Sequence, residues 1–273
     1  MKPAIRNTSL IWTRAADDWD DDAVFFANYQ GKVLRIPCIA TEPLSHAQLP
    51  PVPSTSYTHV VATSVKAVNC LEQNHAWHNH LRTAQFHCFG EATHAALVAL
   101  GVKVVLHQVA AAASLCAKLI ATLPRTVEHA DNSAPAQQSV APTPRVMVLS
   151  AAKPAFPFTA TLQQQGIDAT QLTLYRTLIA ARWADGRELL ASQCEELART
   201  RHIVCLASPS AVLGFVHKFQ NCRAAWQRNF QTIAIGTTTA TVANKHFERC
   251  DTCAEPTIAK LVARAIEASK EFI

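Results

Sequence analysis

Short runs of consecutive apolar residues recur along the chain, and most are followed by a stretch whose apolar positions have helical spacing. Such runs are typical of strands buried on both faces of a parallel sheet. The predicted strands are SLIWT (9–13), HVVATS (59–64), FHCF (86–89), VKVVL (102–106), RVMVLS (145–150), HIVCLAS (202–208) and TIAI (232–235). The predicted helices are 66–73, 92–100, 112–123, 186–199, 210–219 and 257–270. This alternation predicts an α/β protein with helices on both faces of parallel sheets.

One strand-turn-helix pattern occurs twice at a nearly constant offset. HVVATSVKAVNCL, which contains Ser64, is similar to HIVCLASPSAVLGF, which contains Ser208, 144 residues later. FHCFGEATHAAL, which contains Gly90, is similar to TIAIGTTTATVA, which contains Gly236, 146 residues later. Two pairs in register indicate that one α/β unit is used twice, so we expect two similar domains.

Two further segments of β composition, 31–41 and 171–180, lie outside the repeated units and bracket the first copy. We expect the chain to leave one domain through the first segment and to return through the second, with the two paired antiparallel. A proline- and serine-rich segment at 128–145 is predicted to be a surface loop. The predicted bounds are 1–36 with 178–273 for one α/β domain, 39–174 for the inserted α/β domain, and 33–40 and 172–179 for the linker strands.

Composition describes a globular protein with a sizeable core, since 49% of its 273 residues are hydrophobic and 16% are charged. The net charge of +5 favours an acidic partner, but the positive charges are scattered and form no nucleic-acid-binding stripe. The N-terminal stretch lacks a signal-peptide core, and no apolar segment is long enough to span a bilayer. We therefore expect a cytoplasmic protein without a nucleic-acid or membrane partner.

Serine, threonine and glycine stand where four predicted strands lead into helices. The first N–H groups of a helix lack partners within the helix and attract anions, and nearby hydroxyls add donors or cap the helix. In a parallel sheet such ends share the carboxyl edge, where ligands bind. The sequence therefore predicts a cleft that binds carboxylates or phosphates, although each hydroxyl alone is equally consistent with a simple cap. The candidate residues are Thr63, Ser64, Gly90, Thr93, Ser208, Ser210, Gly236, Thr238 and Thr239.

Three clusters have residue types that bind metals, but none has a complete ligand set. They are CDTC (250–253), the acidic run DDWDDD (17–22), and the histidines His75, His78 and His80. We interpret them as a loop, as acids at a helix start or in a solvated loop, and as surface histidines near a helix end. The nine cysteines are expected to be free thiols rather than disulfides. No metal or cofactor site is predicted.

These features resemble the uroporphyrinogen-III synthase (HemD) family of tetrapyrrole biosynthesis over most of the chain. The matching motifs are TRA (13–15), RIPCI (35–39), VVATSVKAV (60–68), CFGEATHAALVALG (88–101), LYRT (174–177), ASPSAVLGF (207–215), IAIGTTTATVA (233–243) and AEPTIAKLVARAI (254–266). The resemblance implies two flavodoxin-like α/β domains joined by a two-stranded antiparallel linker. It also implies conversion of hydroxymethylbilane to uroporphyrinogen III, with loss of water, inversion of the terminal ring and no cofactor. A monomer that receives its substrate from hydroxymethylbilane synthase is expected.

The resemblance also implies roles for single residues. Tyr175 falls on the family's cleft tyrosine, whose phenol is a candidate general acid for the departing hydroxyl, unless it only closes the linker. Thr13 and Arg14 match the family's opening Thr-Arg pair, in which Arg14 is a candidate partner for a substrate carboxylate. The threonines and serines of the four helix starts match the family's substrate-binding turns.

The chain departs from the family at 148–166, where a glycine-rich turn followed by an arginine is common, and at Ala15, where proline is usual. This departure puts part of the carboxylate binding in doubt. A non-catalytic two-domain binding module for an acidic small molecule is therefore the alternative function. A nucleotide-binding regulator is disfavoured because the chain has no glycine-rich phosphate loop.

Overall fold

The apolar runs form the strands of two parallel sheets in a computed structural model that describes residues 8–109, 111–123, 143–180, 200–220 and 229–271. The strands are β1 (Ser9–Trp12), β2 (Val33–Arg35), β3 (Ile39–Pro43), β4 (His59–Ala62), β5 (Gln85–Cys88), β6 (Lys103–Leu106), β7 (Arg145–Ala151), β8 (Asp168–Ile179), β9 (His202–Leu206), β10 (Phe230–Ala234) and β11 (Cys250–Thr252). The helices are α1 (Trp19–Asp22), α2 (Val65–Glu72), α3 (His75–Leu81), α4 (Glu91–Ala99), α5 (Ala112–Thr122), α6 (Phe158–Gln164), α7 (Pro209–Lys218), α8 (Thr237–Ala243) and α9 (Ile258–Glu271). The seven predicted strands are confirmed, as are the predicted helices at α2, α4, α5, α7 and α9.

The chain divides into two compact units. The first unit is Met1–Thr41 with Thr177–Ile273, and the second unit is Glu42–Arg176. The predicted helix at 186–199 and most of the predicted loop at 128–145 lie outside the described residues. None of the helices in the described ranges is long and apolar enough to cross a membrane.

The first unit contains a five-stranded sheet of order β11-β10-β9-β1-β2, in which every neighbouring pair is parallel. Alternate residues of β1 face opposite cores. Ile11 packs in the cluster that includes side chains of α7 and α8, whereas Leu10 and Trp12 pack in the cluster that includes side chains of α9. Helices therefore cover both faces of this sheet, as the unbroken apolar runs predict.

The second unit contains a six-stranded sheet of order β3-β8-β7-β4-β5-β6, whose last five strands are parallel. Side chains of α2, α3 and α4 form the core on one face, and side chains of α5 and α6 form the core on the other. The chain crosses from the first unit to the second within β3 and returns within β8.

The two segments expected to form only a linker also take part in the sheets. Residues 31–41 contain β2 and the start of β3, separated by residues 36–38, and β2 joins β1 as a parallel edge strand. The first part of β8 pairs with β7 in parallel. Within the described ranges, the antiparallel pair is β3 with the end of β8. The N–H of Leu44 donates to the Leu174 oxygen at 2.8 Å, and the N–H of Ala180 donates to the Cys38 oxygen at 3.1 Å.

Gly214 allows α7 to approach the segment that follows β2. A Cβ atom placed at Gly214 would overlap the carbonyl oxygen of Cys38 and lie 2.8 Å from its carbonyl carbon. Cys38 itself is fully buried, so its backbone has little room to withdraw. Glycine is required at this position because the packing leaves no room for a Cβ atom, and not because of its backbone dihedral angles.

Three histidines form a hydrogen-bonded row across β4, β5 and the residue after β6. The Nδ1 of His59 lies 2.9 Å from the Nε2 of His87, and the Nδ1 of His87 lies 3.0 Å from the Nε2 of His107. His87 and His107 are buried, and His59 is partly exposed. Burial lowers the pKa of His87 to about 4, with a further contribution from the two neighbouring rings. Burial also lowers the pKa of His59 and of His107, with Lys118 adding to the effect at His107.

We expect Gly214→Ala to lower the free energy of unfolding by about 3 kcal/mol, because the new methyl group overlaps a backbone carbonyl that cannot move freely. The exposed neighbour Leu213 provides a control, since Leu213→Ala should change the free energy of unfolding by about 0.5 kcal/mol or less. Urea unfolding of both variants measures the difference. Equal midpoints for the two variants would contradict the close approach.

The histidine row should make the fold less stable in acid. A folded-state pKa below the unfolded value means that the native row is favoured when neutral, so its contribution is full above about pH 6.5 and is lost as the pH falls toward 4. For His87 alone the loss between pH 7 and pH 5 is about 2 kcal/mol. Urea unfolding at both pH values measures it. The pH dependence should be smaller in His87→Gln and unchanged in His75→Gln, and an undiminished dependence in His87→Gln would disprove the assignment.

Candidate functional site

The predicted ligand-binding residues of the second unit follow the carboxyl ends of its parallel strands. Thr63 and Ser64 come directly after β4, and Gly90 stands between β5 and α4. Tyr175 lies on β8 at the level where β7 ends, paired with Ala151. The common direction of β4, β5, β7 and β8 brings these residues to one edge of the sheet.

A bulge in β8 directs the Tyr175 side chain toward α2. Ser150 pairs with Thr173, but the next residue of β7, Ala151, pairs with Tyr175, so β8 contains one extra residue. Leu174 is 1% exposed in the core that includes α2, and in a regular strand the next side chain would point to the opposite face. Tyr175 nevertheless packs against this same core. The extra residue restores the orientation, which is a known effect of β-bulges.

The hydroxyl of Tyr175 meets the first turn of α2. Its oxygen lies 3.2 Å from the Oγ of Ser64. Ser64 is also the N-cap of α2, since its Oγ accepts a hydrogen bond from the N–H of Ala67 at 3.3 Å. Both side chains are partly exposed. Among the described residues, this is the point where two predicted site hydroxyls touch.

Gly90 and Thr93 shape the start of α4. Gly90 has φ 81°, a left-handed conformation that favours glycine, and an added Cβ would meet no atom within 4 Å. The conformation rather than close packing therefore requires a glycine at this turn. Thr93 is 6% exposed and points inward from the third position of α4. It supports the helix start instead of offering its hydroxyl to solvent.

The repeated helix starts of the first unit have the same plan. Ser208 is the N-cap of α7 and accepts a hydrogen bond from the N–H of Ala211 at 3.1 Å, while Ser210 is exposed. At the start of α8, Thr238 is exposed and Thr239 is 3% exposed. Thr93 and Thr239 both occupy the third position of a helix that follows a glycine, and both are buried. The two units therefore share a buried threonine at the same helical position.

Glycine is favoured at Gly236 and at Gly90 for different physical reasons. Its φ of −172° is ordinary extended backbone, but an added Cβ would lie 3.3 Å from the Cβ of Pro256. Close packing against the residues before α9 therefore favours glycine here. The two glycine turns of the repeat are similar in sequence but not in conformation.

Thr13 and Arg14 are occupied by contacts within the first unit. Thr13 is fully buried and its hydroxyl donates to the carbonyl oxygen of Cys205 at 2.6 Å, which connects the end of β1 to β9. Arg14 makes ion pairs with Asp22 at 2.5 Å and with Asp18 at 3.0 Å. The arginine expected to pair with a substrate carboxylate thus already holds two carboxylates of its own chain.

The acidic run at 17–22 contains a structural residue that the sequence interpretation missed. Asp22 is 2% exposed and accepts a hydrogen bond from the indole Nε1 of Trp12 at 2.9 Å in addition to its bond with Arg14. Burial raises the pKa of the Asp22 carboxyl, and Arg14 and Trp12 oppose that rise. The signal was the position of the acidic run three to eight residues after the Arg14 that we assigned to substrate.

The other clusters show no ligand geometry in the described ranges. No group of three or more His, Cys, Asp or Glu is arranged there to hold a metal ion. The segment CDTC contains the short strand β11 rather than a loop, because it pairs with β10. Cys250 and Cys253 are free, and burial raises the pKa of both thiols, which makes them poor nucleophiles at neutral pH.

The segment after β7, where the sequence departs from the family pattern, forms the turn that leads to α6. Lys153 and Pro154 are exposed, and Pro157 is the N-cap of α6 with φ −79°. Phe156 and Phe158 pack in the core beneath, with ring centroids 5.8 Å apart. Aromatic packing and proline therefore fix this turn. Lys153 is its exposed cation.

Comparisons with known proteins identify relatives of one kind. A family model described as uroporphyrinogen-III synthase HemD matches residues 23–263. The uroporphyrinogen-III synthetase of Helicobacter pylori 26695 is 16% identical in sequence and superposes with a TM-score of 0.63, covering 96% of this chain and 99% of that one. A mutant uroporphyrinogen III synthase of the extremely thermophilic bacterium Thermus thermophilus is 15% identical, with a TM-score of 0.54 and coverage of 97% and 100%. No curated protein matches the sequence.

We expect Asp22→Ala to lower the free energy of unfolding by about 3 kcal/mol, because it leaves the Trp12 indole N–H and the Arg14 guanidinium without their buried acceptor. Asp20, which is exposed in the same run, is the matched control, and Asp20→Ala should cost about 0.5 kcal/mol or less. Thermal and urea unfolding measure both. Similar losses in the two variants would show that the acidic run is only a solvated surface.

Proposed function

The chain belongs to the uroporphyrinogen-III synthase HemD family, and from this membership we propose how its residues carry out the family's reaction. The enzyme is a lyase of haem biosynthesis that converts hydroxymethylbilane, a small-molecule linear tetrapyrrole, to uroporphyrinogen III. Water is lost, the terminal ring is inverted and the macrocycle closes. Hydroxymethylbilane also closes without an enzyme, to the isomer whose ring is not inverted. Catalysis must therefore control geometry as well as assist departure of the hydroxyl.

Tyr175 is the general acid in this proposal. Its phenol gives a proton to the substrate hydroxyl as the carbon–oxygen bond breaks, and the bonding electrons leave with the oxygen as water. The pyrrole ring that carries the hydroxymethyl group supplies the electrons that form a double bond to the carbon left behind. The observation that supports this role is the Tyr175 hydroxyl, half-buried at the carboxyl edge of the sheet and 3.2 Å from Ser64. A phenol held beside a helix start and open to solvent on one side is suited to meet a ligand.

Neutral donors bind the acetate and propionate groups of the substrate in this proposal. The exposed or partly exposed hydroxyls that do so belong to Thr63, Ser208, Ser210 and Thr238. The uncapped N–H groups at the starts of α2, α4 and α7 supply further donors. The buried Thr13, Thr93 and Thr239, together with Gly90 and Gly236, hold the turns in shape. Arg14 remains paired with Asp18 and Asp22 and makes no direct contact with the substrate.

Positioning is the larger part of catalysis here. Holding reacting groups in one geometry can lower a barrier by about 7–11 kcal/mol. A strong nucleophile is therefore unnecessary. Lys153, on the turn that the chain has rebuilt after β7, is the cation we assign to the carboxylate that the family's arginine would otherwise bind. We further propose that the enzyme is a cytoplasmic monomer with two α/β domains, 1–36 with 178–273 and 39–174, and receives hydroxymethylbilane from hydroxymethylbilane synthase.

We expect the purified protein, supplied with freshly generated hydroxymethylbilane, to yield a large excess of the type III over the type I isomer after oxidation of the products. Tyr175→Phe should lower kcat by about tenfold to a hundredfold, because general-acid assistance is lost while packing of the ring is kept. Chromatographic separation of the isomers measures both effects. The control without protein gives the spontaneous type I product.

Two outcomes would contradict the proposal in different ways. If wild-type protein gives only the type I isomer at the spontaneous rate, the chain does not catalyse the reaction, and the binding module for an acidic small molecule becomes the better interpretation. If the wild type gives the type III isomer and Tyr175→Phe changes neither rate nor isomer ratio, the enzyme stands but the acid is another residue.

A further inference from the structure

We propose that Ser64 is a positioning residue that orients the Tyr175 hydroxyl, an inference that rests on the proposed acid role of Tyr175. The family resemblance of the sequence implies that Ser64 binds a carboxylate at a helix start. Its contacts in the second unit indicate a different task. Three independent features of the structure support the assignment: the hydrogens available to the two hydroxyls, the anchoring of Ser64, and the bulge in β8.

The contacts of the two hydroxyls allow Ser64 to be the donor. The Ser64 Oγ already accepts the N–H of Ala67, so its own hydrogen is available, and the Tyr175 oxygen lies 3.2 Å away. If Ser64 donates, the tyrosine oxygen is held by a lone pair and its proton remains for the substrate. If Tyr175 donated instead, its proton would be directed at Ser64 and away from any leaving hydroxyl. A general acid at Tyr175 therefore needs Ser64 in the donor role.

The first turn of α2 holds the Ser64 side chain in a fixed position. Ser64 has φ −154° and ψ 148°, and the capping bond from Ala67 fixes its side chain at the first turn of α2. Val68, one turn along, is 2% exposed in the core on which Tyr175 packs. The residue that hydrogen-bonds the Tyr175 phenol is therefore held in place by a helix start.

The bulge supplies the matching constraint on the tyrosine. The extra residue in β8 turns Tyr175 to the face of α2, and the carbonyl oxygen of Tyr175 accepts the N–H of Ala152 at 2.8 Å. The backbone of Tyr175 is therefore fixed, and so is the ring that packs on the core. Rotation of the O–H about the ring remains free until a partner holds the oxygen. Ser64 is that partner among the described residues.

A double-mutant cycle tests the inference. Wild type, Ser64→Ala, Ser64→Thr, Tyr175→Phe and the Ser64→Ala/Tyr175→Phe double variant are compared for kcat and KM with fresh hydroxymethylbilane. Ser64→Ala should lower kcat about tenfold, the scale of one lost hydrogen bond, with a much smaller change in KM. Ser64→Thr should restore kcat, because threonine keeps the hydroxyl and accepts the extended backbone. In the Tyr175→Phe background, Ser64→Ala should lower kcat no further.

Loss of the helix cap is controlled with a second cap in the same unit. The Oδ1 of Asn74 accepts the N–H of Trp77 at 3.2 Å at the start of α3, outside the proposed site. Asn74→Ala should lower the Tm at least as much as Ser64→Ala, because Asn74 is buried and its Nδ2 also lies 3.1 Å from the Nδ1 of His46, and it should leave kcat unchanged. If Asn74→Ala lowers kcat as much as Ser64→Ala does, the effect of Ser64 is one of stability and the positioning role is overturned.

The remaining outcomes separate this inference from the proposed function. If Tyr175→Phe lowers kcat and the two single effects multiply in the double variant, Ser64 acts independently of the phenol, and only the positioning role is overturned. If Ser64→Ala raises KM with kcat unchanged, Ser64 binds a substrate carboxylate instead. If Tyr175→Phe leaves kcat unchanged, the acid role and the positioning role are overturned together, while type III product from wild type still establishes the enzyme.

Discussion

Parallel pairing of buried strands is the constraint on which the rest of this structure depends. With helices over both faces, a strand interior has no exposed face for a polar ligand contact, and residues such as Val60, Val61, Ile203 and Val204 are fully buried. Polar groups that contact a ligand must therefore lie at the strand ends. Because the strands share a direction, their carboxyl ends fall on one edge, and the next few residues of each connection become neighbours. Ser64 and Gly90 meet that condition in the second unit, and Tyr175 lies at the same edge because β8 continues past the end of β7.

The repeat in the sequence follows from the same constraint. Ser64 and Ser208 cap corresponding helices, and Thr93 and Thr239 are buried at corresponding helical positions. These similarities were predictable, because strand length, capping residue and helical period are local properties. The difference between Gly90 and Gly236 was not. One needs a left-handed φ and the other avoids Pro256, which lies twenty residues further along the chain.

Nonlocal contacts also account for what sequence interpretation missed at the site. The spacing of Leu172 and Leu174 predicts a regular strand. The motif LYRT contains no residue that predicts the bulge by which Tyr175 comes to face the same core as Leu174. Likewise, Arg14 was assigned to a substrate carboxylate although its partners, Asp18 and Asp22, stand within eight residues. A residue pattern reveals which groups are available, but only packing decides which of them are already paired.

The pairing of Arg14 has a consequence for how the first unit can bind anions. A guanidinium shared by two carboxylates contributes little net positive charge. The helix start at α7 offers neutral donors instead, namely backbone N–H groups and the hydroxyls of Ser208 and Ser210. Neutral donors cost less to remove from water than a free cation does. They also hold a carboxylate by direction rather than by charge alone. For a substrate with acetate and propionate groups on every ring, strong point charges would attract many orientations equally well, whereas directed donors favour the one in which the terminal ring is reversed.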